Sequence, residues 1–108
     1  MKNIQREVSE FISQHNLHYA PEYQALELVS SVGEISKEII KMSNYGKNEF
    51  LEYHKELDSE IGDALFSLII IANKFDIDLG FILDQTLSKY KDRIDVKREM
   101  KGNDDLSQ

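Results

Sequence analysis

A chain of 108 residues falls within the usual size of one domain, and 41% apolar with 31% charged residues and a single proline argue against both a membrane protein and a disordered one. The formal charge of −7, with 20 acidic against 13 basic side chains, disfavours a nucleic acid partner, so an anionic substrate needs a cation as intermediary. The lack of cysteine removes disulfides, thiolate metal sites and cysteine nucleophiles together.

In chain order, Ile4, Val8, Phe11 and Ile12 fall at helical spacing and predict a first helix over residues 2–14. Residues 16–21 break the pattern, and Pro21 suits the first turn of a second helix, where its missing N–H costs nothing. That helix is expected over 21–42, with Leu28, Val32, Ile35, Ile39 and Met42 as its core stripe and Ser-Asn-Tyr-Gly at 43–46 as its breaker. Gly33 lies inside it at a cost of roughly 1 kcal/mol relative to alanine, which suggests close approach of a backbone or a ligand.

A third helix is expected over 49–75, with a stripe of Leu57, Ile61, Ala64, Leu68, Ala72 and Phe75. Over 64–72 only Ser67 is polar, so apolar side chains point nearly all round and the segment should be surrounded by protein. A lone helical hairpin cannot cover that circumference, so a homodimer or homotetramer built through this helix is expected. Asp78 is a plausible N-cap for a fourth helix carrying Ile82 or Leu83, Leu87, Tyr90 and Ile94. The fold expectation is an all-α bundle of about four helices in one domain, 1–100, followed by a polar, frayed tail at 101–108. The longest apolar run, 68–72, is far too short to cross a bilayer, and the N-terminus lacks a signal-peptide stretch, so no membrane partner and a cytoplasmic location are expected.

Glu60 and Asp63, three apart, share a helix face within reach of one cation. Glu34 stands on the second helix, with Glu38 one turn later and Glu27 two turns earlier. Mg²⁺ takes oxygen ligands and keeps several waters, so a few carboxylates from two helices plus substrate phosphates suffice. The rival reading is a solvated acidic face. Against it, the face of Glu60 and Asp63 continues into Ser67, Ile70 and Ile71, where solvent gives way to protein and mutually repelling carboxylates call for a cation.

Leu-Val-Ser-Ser-Val-Gly-Glu-Ile-Ser-Lys-Glu-Ile at 28–39 and Leu-Asp-Ser-Glu-Ile-Gly-Asp-Ala-Leu-Phe at 57–66 resemble the two halves of the MazG signature, a Glu-x-x-Glu helix and a Glu-x-x-Asp helix. The resemblance runs from about Ile4 to Arg93 and takes in Ala-Asn at 72–73, Asp-Ile-Asp-Leu at 76–79, and Lys89 with Arg93. It implies an all-α, Mg²⁺-dependent nucleoside triphosphate pyrophosphohydrolase with Glu34, Glu60 and Asp63 as metal ligands. By the same resemblance a metal-activated water attacks between the α and β phosphorus atoms, Glu34 takes its proton, and Lys89 and Arg93 reach the phosphates.

Asn73 is a candidate for reading a base edge or for bridging within the bundle, and Tyr19, Tyr23 and Phe66 for stacking on a base or simple packing. His15 and His18 lie in the connection before the second helix, which in related pyrophosphatases approaches the base. The departure from the family pattern is Ser31, which stands where the first motif has its leading Glu and supplies only a weak neutral ligand. Glu27 is a candidate to compensate through a bridging water. Ser31 also supports a second reading, a catalytically impaired member that binds nucleotide or a protein partner. A third is a plain helical interaction module.

Overall fold

The computed structural model describes residues 1–49 and 51–106, and it is all α, with no strand among the described residues. Its four helices are α1 (Lys2–Gln14), α2 (Pro21–Met42), α3 (Glu56–Lys74) and α4 (Leu79–Leu106). The first two have the expected bounds, because their signals are local. Pro21 opens α2 behind an extended Ala20, and Asn16 takes a left-handed φ of 51° just past α1. Beyond α2, three successive residues, Asn44, Tyr45 and Gly46, take positive φ and turn the chain, and the Gly46 N–H donates to Ser43 Oγ at 3.0 Å. Asp78 caps α4 as expected, its Oδ1 accepting from the Phe81 N–H at 3.3 Å.

The third helix begins at Glu56 and not at residue 49, a correction with a clear cause. The Glu52 N–H donates to the Met42 carbonyl at 2.9 Å, satisfying one of the acceptors left open at the end of α2. The Tyr53 hydroxyl meets Asp58, and His54 meets Glu38. Residues 51–54 therefore serve α2 and the start of α3 from a non-helical path. The expected tail at 101–108 falls partly on α4, which runs on to Leu106, and partly on residues 107 and 108, outside the described residues.

α3 is the centre of the fold, with α2 packed extensively against it and α1 packed more lightly. Its buried side chains are Ser67, Ile69, Ile70 and Ala72, joined by Met42 of α2. The expected stripes are thus only partly inward: Ala72 and Met42 are buried, Leu28, Ile35, Leu57 and Ala64 are half-buried, and Val32, Ile39, Ile61, Leu68 and Phe75 are exposed. α3 turns the face of Ile69 and Ile70 toward its neighbours, so Ile61, Leu65 and Leu68 form an outward stripe.

A buried polar clamp fixes α1 to the α3–α4 connection. Gln5 Nε2 donates to Asn73 Oδ1 at 3.0 Å and to the Ile77 carbonyl at 2.7 Å, while Gln5 Oε1 accepts from the Leu79 N–H at 3.0 Å. Asn73 Nδ2 completes it on the Gln5 carbonyl at 3.0 Å. Past this point α4 leaves the other helices, and among the described residues it packs extensively against none of them. The radius of gyration is 19.4 Å and the extents are 66 × 39 × 23 Å. A compact chain of this length would have a radius of about 13 Å.

Candidate functional site

α2 and α3 pack extensively on each other, and each carries acids that the sequence singles out. Glu34 and Asp63 are exposed and Glu60 is half-buried. Gly33 and Gly62, which precede Glu34 and Asp63, have open space where a Cβ would stand. Among the described residues, therefore, no neighbouring backbone approaches Gly33 in the way expected. Among the described residues, the carboxylates of Glu34, Glu60 and Asp63 do not converge to within 4.8 Å of one another.

Another group does. Ligand atoms of Glu38, His54 and Glu56 all lie within 4.8 Å of each other, one helical turn along α2 from Glu34 and one turn before Glu60 on α3. His54 Nδ1 sits 2.8 Å from Glu38 Oε1. Of these three, helical spacing singles out only Glu38. His54 lies in an irregular connection, and Glu56 looks like any acid in a first helical turn, so their meeting depends on the return path of the chain.

Ser31 is half-buried on α2. Glu27 is exposed and engages Tyr23 four residues earlier, and the hydrogen bond to its carboxylate holds the Tyr23 phenol above its usual pKa. Phe66 makes edge contacts with Phe11 and Tyr19, at ring separations of 6.4 and 6.3 Å, and Phe11 also meets His15 at 4.5 Å. Phe66, Tyr19 and His15 thus belong to packing that pins α1 and the first connection to α3.

Asn73 is tied to Gln5 through both its amide groups, although its oxygen and nitrogen each keep one further hydrogen-bonding position. Lys89 and Arg93 flank the Tyr90 ring, at 5.4 and 5.5 Å from its centroid. They line an open cleft of about 700 Å³ with Phe81, Asp84, Gln85, Ser88 and Asp92. That cleft is lined by residues of α4, which packs extensively on neither α2 nor α3 among the described residues.

Residues 20–96 match the family model of the MazG nucleotide pyrophosphohydrolase domain. The chain is similar to the uncharacterized protein YpjD of Bacillus subtilis strain 168, 34% identical over 106 residues that cover 94% of this chain and 96% of the relative. The fold is similar to the crystal structure of a Bacillus-conserved MazG protein described as a nucleotide pyrophosphohydrolase. That match has a TM-score of 0.66 and 28% identity, covering 82% of this chain and 86% of the other. It is also similar to the crystal structure of YPJD from Bacillus subtilis, with a TM-score of 0.67 and 29% identity over 84% of this chain and 93% of the other.

Proposed function

The chain belongs to the MazG nucleotide pyrophosphohydrolase family, and from that premise we propose that it is a Mg²⁺-dependent enzyme cleaving nucleoside triphosphates to monophosphate and pyrophosphate in the cytoplasm. The observation that carries this reading is the presence of Glu34, Glu60 and Asp63 on two packed helices inside the matched residues. The donor set is made of carboxylate oxygens alone, which suits a hard cation that retains waters and so tolerates carboxylates that do not touch. When bound, Mg²⁺ supplies charge neutralisation at the phosphates and a more acidic water. Glu34, Glu60 and Asp63 would hold the ion, and the exposed carboxylate of Glu34 would accept a proton from the attacking water. Lys89 and Arg93 hold phosphate oxygens, and Asn73 offers its remaining amide positions to the nucleotide.

The loose attachment of α4 to the helices that carry the acids gives the oligomer a role. The exposed apolar residues of α4, with Ile61, Leu65 and Leu68 of α3, form surface that a second copy covers, and a homodimer or homotetramer lets the cations of one chain serve the carboxylates of another. No described helix is long and apolar enough to cross a membrane.

Pyrophosphate release, screened over ribo- and deoxyribonucleoside triphosphates across a Mg²⁺ titration, tests the reading. Asp63→Ala should lower hydrolysis by at least about 100-fold and weaken Mg²⁺ binding while helicity is retained. Full activity in that variant would overturn the assignment. Ser31 favours a second reading, a nucleotide- or partner-binding protein with an impaired site. Negligible turnover by the wild type, together with tight binding of a non-hydrolysable triphosphate, would select it.

A further inference from the structure

The connection between α2 and α3 returns to the helices at a point where two kinds of metal-binding side chain meet. Glu38 comes from α2, His54 from the connection and Glu56 from the first position of α3. We propose that these three side chains form a site for a divalent transition-metal ion of the Zn²⁺, Co²⁺ or Mn²⁺ class, distinct from the Mg²⁺ site and independent of hydrolysis.

The spacing supports it. Two metal bonds of about 2.1 Å span at most about 4.2 Å, so donors already within 4.8 Å need only small side-chain rotations to close on one ion. The chemistry supports it as well. An imidazole beside two carboxylates is a mixed set that favours borderline cations, whereas Mg²⁺ prefers oxygen alone. The Glu38 side chain is 15% exposed and that of His54 33%, so both have given up much of their water, while Glu56 is exposed and leaves the group open to an arriving ion. The backbone is held in place before any ion arrives. The Glu52 N–H is bonded to the Met42 carbonyl and the Tyr53 hydroxyl to Asp58, which fixes residues on either side of His54 and lowers the ordering cost of binding.

The competing account is a simple His54–Glu38 ion pair in which Glu56 plays no part. The two differ in what happens when metal is added. The test is titration of the full chain with Co²⁺, followed by visible absorption, and with Zn²⁺, followed by calorimetry, both without nucleotide. The wild type should take one ion per chain at this site, with a ligand-field spectrum that excess Mg²⁺ does not erase. His54→Asn keeps an amide able to bond Glu38 but removes the imidazole, and it should weaken Co²⁺ binding at least tenfold, as should Glu38→Gln and Glu56→Gln. Asp63→Ala, which strikes the proposed Mg²⁺ site, should leave the Co²⁺ affinity within about twofold. Failure of the wild type to bind Co²⁺ or Zn²⁺, binding that survives His54→Asn, or binding lost in Asp63→Ala would each overturn the site. None of these readouts measures hydrolysis, so the hydrolase reading can fail while this one stands, and the reverse.

Discussion

Ile69, Ile70 and Ala72 of α3 are buried beside α1 and α2, while Phe81, Leu87, Ile94 and Met100 stand exposed along α4. α3 has 19 residues and packs on both α1 and α2, whereas α4 has 28 residues, about 42 Å of helix, and packs extensively on no other helix among the described residues. The difference teaches that one chain holds two kinds of apolar surface. The first stabilises the fold of the single copy. The second is exposed in that copy and gains its stabilisation only when another surface removes it from water.

Substitutions in the two regions should therefore fail in different ways. The largest expected effect on stability is at Ile69, which is 1% exposed. Ile69→Ala should cost about 2–5 kcal/mol in urea unfolding, through lost burial and the cavity left behind. A cost below about 0.5 kcal/mol would mean that α3 is not the centre of the core. On α4, the double change Leu87→Asp with Ile94→Asp should alter the stability of an isolated chain by no more than about 1 kcal/mol, because both residues are half exposed there. Its effect should appear in assembly, with sedimentation at micromolar concentration shifting from dimer or tetramer to monomer. Unchanged sedimentation would break the contrast between the two helices, since α4 would then have no partner to lose.

The smallest effect sharpens the comparison at the site itself. Ser31 and Glu34 are three apart on α2, so a longer carboxylate at position 31 shares a helix face with Glu34. Ser31→Glu should tighten Mg²⁺ binding and raise pyrophosphate release a few-fold, read side by side with the wild type across a Mg²⁺ titration. Weaker binding and a lower rate would show that position 31 lies away from the metal.

The sequence by itself determined what depends on neighbours within a few positions. The bounds of α1 and α2, the proline that opens α2 and the Asp78 cap follow from local backbone rules. The two halves of the family signature are likewise contiguous strings, readable without coordinates, and residues 20–96 match the family. Tertiary structure decided what depends on partners far away. Gln5 and Asn73 are 68 positions apart, and no periodicity indicates that their amides close on each other. The late start of α3 depends on a carbonyl of α2, and the inward face of α3 depends on where α1 and α2 settle, because a helix apolar on most sides carries no local mark of which side is covered. His54 met Glu38 and Glu56 for the same reason: a loop residue's surroundings are set by the return path of the chain, and that path is fixed by contacts with elements that sequence spacing does not bring together.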